Sequence, residues 1–291
     1  METLFAPRSN RSIEREKDPE LFGRSLLEGG FAFQSYGARV GIRADRVDVL
    51  RRALDYLPPG IQELTSPEFD ELYSFSCPSD HRQNYRLFCR DIEIARTGSL
   101  AELLDIFDTD LRIKIGLLSP EYLFVHAGAI GWKGRAIVIP GRSFSGKTTL
   151  VTALVKAGAI YYSDEYAVFD RQGLVHPYAR ELSIRKGENE RVKCSVEKLG
   201  GESGVEPLPV GLVVHTKYGA GHSWNSREIS PGQAVLALLE NTIAARTRSS
   251  FALSTLARSV SRARAIEGER GEAEEGAAAI LQQIENIFDL E

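Results

Sequence analysis

The chain has 291 residues, 43% hydrophobic and 26% charged, enough for one large domain or two medium ones with a sizeable core. A formal net charge of -4 argues against a general nucleic-acid or anionic-membrane binder, since either needs a net basic face. Cys77, Cys89 and Cys194 make no disulfide framework, and neither a signal-peptide apolar run nor an uninterrupted membrane-length stretch is present, so a cytoplasmic protein with buried thiols is expected.

Residues 1–20 read as a mobile N-terminus, because the stretch from 7 to 20 is dominated by Arg, Ser, Asn, Glu, Asp and Pro. From 21 to 118 the short runs FAFQSY, ARVGIRA, ELYSFSC, YRLFCR and DIEIAR predict strands, with a helix near Val47 to Tyr56 that Pro58, Pro59 and Gly60 close. This is a smaller mixed α/β N-terminal domain. Ser99 as N-cap with Glu102 three residues on, followed by Leu103, Leu104, Ile106, Phe107 and Leu111, predicts a helix joining the two parts of the chain.

The remainder, 119–291, opens with two strands that can pair, YLFVHAGAI (122–130) and RAIVIPG. The second feeds GRSFSGKT at 141–148, a complete G-x-x-x-x-G-K-[ST] phosphate-binding loop. In such a loop the backbone amides of Gly141, Arg142, Ser143, Phe144, Ser145 and Gly146 wrap the phosphates, and the helix that follows points its positive end at the anion. Lys147 is placed to bridge the β- and γ-phosphates, Thr148 to offer its hydroxyl to Mg2+, and Thr149 to line the same turn; a nucleoside triphosphate with a divalent cation is the expected ligand.

A helix Lys147 to Lys156 stopped by Gly158 comes next, then AIYYSDEYAVFD as one strand carrying Asp164 and Glu165 near its end. One helix and one strand return the chain to the carboxyl edge beside the loop. There one carboxylate can accept a proton from an alcohol while the other helps with the metal, which is what phosphoryl transfer asks of a protein. Arg180 and Arg185, in PYARELSIR, could clamp phosphate as readily as they could make surface ion pairs. Taken alone, His126 in its apolar strand reads as a core residue more readily than as a site residue. Further strands are expected at 173–185 and 208–217, then helices Pro231 to Ala245, Phe251 to Ala263 and Glu272 to Phe288, with AIEGE as a short strand between the last two.

Rival constellations are incomplete. Cys77 and His81 have no second pair at zinc spacing; His176, His215 and His222 are scattered; DRQG (170–173) imitates a GTPase D-x-x-G without the guanine-reading sequence that should follow. No serine-hydrolase elbow or zinc-protease helix is present. Arg246, Arg248, Arg258, Arg262 and Arg264 make the late helices basic and Glu267 to Glu275 make the next stretch acidic; such runs read first as solvated faces, with the basic side able to receive an acidic protein partner as the alternative.

FVHAGAI, GRSFSGKT, YYSDEYAVF and PYARELSIR together resemble the kinase core of the HPr kinase/phosphorylase family. That resemblance covers roughly 120–190 and implies an α/β (α+β) phosphoenolpyruvate carboxykinase-like phosphate-loop core with C-terminal helices. It implies Asp164 as catalytic base with His126 and Glu165 in support, Lys147 on the nucleotide, Arg185 or Arg180 against developing charge, and Thr148, Asp164 and Glu165 around Mg2+. His126 thereby becomes a site residue. ELSIRKGENERVKC lacks the glycine-containing signature tied to phosphorylase activity, so the chain looks closer to divergent relatives that act on serine in peptides or on free serine. The family forms rings, which leaves a homo-oligomer open here. The expectation is an ATP- and Mg2+-dependent kinase acting on a hydroxyl of a peptide, protein or small molecule; the alternative is a nucleotide-gated peptide- or protein-binding module without phosphotransfer.

Overall fold

A computed structural model describes residues 30–64, 68–78, 84–142, 145–186 and 190–288. The stretch read as a mobile N-terminus and His81 of the Cys-His pair lie outside them, as do Ser143 and Phe144 of the loop. The fold is mixed α/β and divides into two compact units, one reaching Glu121 and the other beginning at Tyr122. Among the described residues no helix is long and apolar enough to cross a membrane.

In the first unit β1 (Gly30–Ser35) and β2 (Ala38–Ala44) form a hairpin turned by Tyr36 and Gly37, both at positive φ (47° and 83°), as a two-residue turn between twisted strands requires. After α1 (Val47–Leu54) come β3 (Ile61–Glu63), β4 (Glu71–Ser76), β5 (Tyr85–Cys89) and β6 (Ile92–Thr97). They complete a six-stranded sheet of order β3-β1-β2-β4-β5-β6, with β2 and β4 parallel. Helix α2 (Leu100–Leu118) is capped by Ser99, whose hydroxyl accepts from the Glu102 amide at 3.4 Å. Its buried Leu103, Leu104, Phe107, Leu111 and Ile115 recur at helical spacing, and Phe107 meets the rings of Tyr73 and Phe75 edge-on at 5.1 Å. Each fully buried side chain of this kind contributes roughly 1.5–3 kcal/mol. Packing of α2 against β5 and β6 makes it part of the first unit rather than a connector.

The second unit opens with the hairpin β7 (Leu123–Trp132) and β8 (Arg135–Pro140), paired antiparallel from Ala127↔Pro140 to Trp132↔Arg135. Then come α3 (Lys147–Lys156), β9 (Ile160–Ser163), β10 (Tyr166–Phe169), β11 (Val175–His176), β12 (Leu182–Lys186) and β13 (Glu190–Cys194). The last part carries β14 (Val210–Tyr218), β15 (Asn225–Glu228), α4 (Pro231–Leu239), α5 (Ser249–Ser259), β16 (Arg264–Arg270) and α6 (Ala273–Phe288). The main sheet runs β11-β10-β7-β8-β14-β16-β15, with β9 also on β7. Strands β8, β14 and β16 are mutually parallel, so their carboxyl ends share one edge. The core between sheet and helices is built from Ile137, Ile139, Leu154, Leu212, Val214, Ile266 and Ile280 with their neighbours.

Several predicted elements change in the structure. AIYYSDEYAVFD is two strands: β9 pairs with the far half of β7 and β10 with its near half, and Asp164 and Glu165 fill the break. The helix expected to reach Ala245 ends at Leu239 because the next residues pair with β7 instead, Ile243 donating to Phe124 O at 3.0 Å and His126 to Asn241 O at 2.8 Å. AIEGE is the middle of β16, a seven-residue strand flanked on both sides. Cys89 is buried as expected, whereas Cys77 and Cys194 are only partly so.

The GTPase-like DRQG is a turn. Asp170 accepts the amides of Gln172 and Leu174 at 2.9 Å through Oδ1 and meets His176 Nε2 at 2.9 Å through Oδ2. Gly173 closes it at φ +84°, where an added Cβ would stand 2.7 Å from Ser259 N and 2.8 Å from its Cα. Gly173→Ala is therefore expected to destabilise the second unit by about 1–3 kcal/mol, seen as a lower midpoint in a thermal melt; an unchanged midpoint would contradict this packing.

Candidate functional site

The loop that begins at Gly141 leaves the carboxyl end of β8, and its start is tied to β7 by the Gly141 amide donating to His126 O at 3.3 Å. The last turn closes at Gly146, which caps α3 at φ +80°; an added Cβ would meet Arg270 Nη2 at 2.5 Å. Gly146 is thus required both by conformation and by space. Lys147 is buried (7% exposed), and its ammonium donates to the carbonyls of Gly141 and Arg142, each at 2.8 Å. Arg142 and Thr149 are exposed. Ser145 Oγ is buried without a hydrogen-bond partner among the described residues.

The acidic pair owes its position to the break between β9 and β10. Opposite it, the Ala127 amide donates to Glu165 O at 3.1 Å, and the buried Ser163 hydroxyl accepts the amides of Glu165 (3.0 Å) and Tyr166 (2.9 Å). Those two amides would otherwise go unpaired where the ladder is interrupted. Held in this way, Asp164 Oδ2 accepts from Thr148 Oγ1 at 2.8 Å, and Oδ1 accepts from Tyr161 Oη at 2.8 Å. Burial first, then Asp164, pushes the Tyr161 phenol well above its ordinary value, so it remains a donor to the carboxylate.

Glu165 stands beside Arg180, with 4.0 Å between Oε2 and Nη1. The PYAR segment reaches this point because the Tyr178 amide donates to Tyr162 O at 3.0 Å, along β9. His126 is the register partner of Tyr166, with ring centroids 5.8 Å apart, so it too belongs to this edge. Gly128, on the same face of β7 as His126, packs on Val151 of α3. Of the residues read from sequence, Gly141, Arg142, Ser145, Gly146, Lys147, Thr148, Thr149, His126, Asp164 and Glu165 gather at the carboxyl edge, joined by Arg180. Arg185 lies on β12, in a separate two-stranded sheet with β13, and its side chain is outside the described residues.

Three participants escape a reading of motifs. Tyr161 looks like core, and Ser163 like an ordinary strand residue. Arg270, at the end of β16, is 2% exposed and donates to Gly146 O at 2.9 Å from 124 positions away. The proximity of Tyr161 to Asp164 was visible in YYSDE, but nothing in RAIEGER marks Arg270.

The donor set suits a polyphosphate. Lys147, Arg270 and the N-terminus of α3 converge with two unsatisfied polar atoms, Ser145 Oγ and Arg270 Nε, and all favour an anion. Thr148 Oγ1 is the oxygen that a small hard cation would take, with water and phosphate completing its shell, and the carboxylate oxygen Asp164 Oδ2 stands 2.8 Å from it. Among the described residues there is no cluster of three metal-ligating side chains.

Burial lowers Lys147 to about 8, with Asp164 opposing the shift. Between about 8 and the ordinary value of 10.5 the unfolded chain holds this proton more tightly, so Lys147 lets stability rise with pH across that window. A bound polyphosphate reverses the balance by favouring the ammonium. A polyphosphate bound beside Lys147 just above pH 8 should accordingly be accompanied by proton uptake, with little uptake well below it. Calorimetry in two buffers of different ionisation enthalpy measures this, and buffer-independent heats at both pH values would contradict it.

Compared with known proteins, the chain matches no protein-family model, and no curated protein matches it.

Proposed function

We propose that the second unit is an ATP- and Mg2+-dependent kinase of the HPr kinase-like, phosphoenolpyruvate carboxykinase-like kind, transferring the γ-phosphoryl group to a serine-type hydroxyl on a peptide, protein or small molecule. The observation that carries the reading is the 2.8 Å bond between Thr148 of the loop and Asp164 at the strand break. A loop that only ordered a nucleotide would not need a carboxylate held against its hydroxyl by a second donor, Tyr161.

ATP would supply the phosphoryl group, and Mg2+ the charge that offsets its oxygens. Lys147 and the loop amides hold the β- and γ-phosphates in line. Thr148 would hold the cation through the hydroxyl oxygen that here faces Asp164. Asp164, oriented by Tyr161 through Oδ1, takes the acceptor's proton on Oδ2 as the acceptor oxygen bonds to phosphorus and ADP departs. Glu165 follows Asp164 in the chain and His126 lies across from Tyr166, from where they would support this carboxylate, and Arg180, rather than Arg185, offsets charge because it already stands beside Glu165. ADP formation with and without serine-bearing peptides or free serine tests the reading: acceptor-dependent turnover is expected, and an unchanged rate across every hydroxyl acceptor would count against it.

A further inference from the structure

Tyr218 and Arg270 are register partners at the carboxyl ends of the parallel strands β14 and β16, next to the strand that feeds the phosphate loop. Their environments differ sharply. Arg270 is 2% exposed, while Tyr218 keeps half of its surface open at 51%. The Arg270 guanidinium carbon lies 5.4 Å from the centre of the Tyr218 ring, so one side of the ring is backed by a cation.

That cation is held where a protein would not ordinarily bury one. Nη2 donates to Gly146 O at 2.9 Å and Nη1 to Gly271 O at 3.1 Å, whereas Nε has no partner and no carboxylate forms an ion pair with it among the described residues. It also sits at the N-terminus of α3, the end that repels positive charge. Burial lowers the Arg270 pKa, so the unliganded protein bears the charge unfavourably. An anion in the loop would relieve that, and the Tyr218 ring stands against the same guanidinium. Tyr218 is close enough to share the occupant, since its Cβ would be 4.0 Å from a Cβ placed on Gly146. The Gly219 amide donates to Arg270 O at 2.9 Å, which fixes the backbone beyond the ring.

We propose that Tyr218, backed by Arg270, is the platform on which the base of the bound nucleotide stacks. This rests on the nucleotide reading of the loop. The phosphates lie in the cradle beside Gly146, the open ring stands at its rim, and a base has a flat π face of matching size. Stacking of this kind tolerates any base, because every base offers such a face.

The test titrates the parent protein, Tyr218→Ala and Tyr218→Phe with Mg2+ and either ATP or inorganic tripolyphosphate, by calorimetry. Tyr218→Ala should weaken ATP on the order of tenfold, leave tripolyphosphate unchanged and thereby report an intact loop, and Tyr218→Phe should restore ATP affinity. ATP binding unaltered in Tyr218→Ala would overturn the platform alone, as would equal losses for ATP and tripolyphosphate. A parent protein that binds neither compound would overturn the nucleotide reading and the platform with it.

Discussion

Lys147→Ala is expected to abolish phosphoryl transfer, by roughly 10²–10³-fold or more, and to weaken Mg·ATP severely while leaving the unliganded protein at least as stable as the parent. The two halves of this expectation come from one geometry. Lys147 is buried, its ammonium is turned back onto the carbonyls of Gly141 and Arg142, and burial opposes its charge. A lysine retained under those conditions contributes little to the empty fold, since the burial that opposes its charge outweighs the help it has from Asp164. Its benefit appears only when phosphate arrives. Calorimetric titration beside a thermal melt separates these contributions: lost binding with an unchanged or raised midpoint supports the account, while a large fall in the midpoint would make Lys147 a structural residue.

Asp164→Asn should lose transfer by about 10²–10⁴-fold, the range for removing a general base, yet keep Mg·ATP binding to within a few-fold. The substitution is nearly isosteric, and the two groups that hold the carboxylate can adapt to it. Tyr161 and Thr148 each carry a hydroxyl able to accept as well as donate, so an amide NH2 facing either one still finds a partner. What the amide cannot do is receive a proton at pH 7. A variant with parental turnover would remove Asp164 from the chemistry, and one that no longer binds nucleotide would make it a purely structural tie to Thr148.

The passage from β8 to the Gly146 cap and α3 was the most legible part of the chain, because G-x-x-x-x-G-K-[ST] is local and puts Gly146 and Lys147 at the start of a helix. The hairpin that feeds it was equally readable from VHAGAI and AIVIPG. The acidic pair was located but its setting was misread. A continuous apolar run such as AIYYSDEYAVFD gives no sign of an interruption, which depends on Ser163 accepting two amides and on which half of β7 each piece pairs with. The helix predicted to Ala245 failed for the same kind of reason: β7 offers an unpaired edge to residues 241–243, and that pairing outweighs their helical pattern. Arg270 is the extreme case. Its bond to Gly146 spans 124 positions and depends on two successive parallel pairings, β8 with β14 and β14 with β16, so no window of sequence could contain it.

The central claim is that the Thr148 and Asp164 junction performs transfer to a hydroxyl and does not merely order a nucleotide. It is tested most directly by incubating the protein with γ-labelled ATP, Mg2+ and a panel of serine-bearing peptides, proteins and free serine, then measuring by mass spectrometry where the label resides. The account predicts the label on a serine hydroxyl, with its appearance dependent on Asp164. Stably bound ATP with no labelled acceptor and no ADP would contradict it and leave a nucleotide-gated binding module in its place.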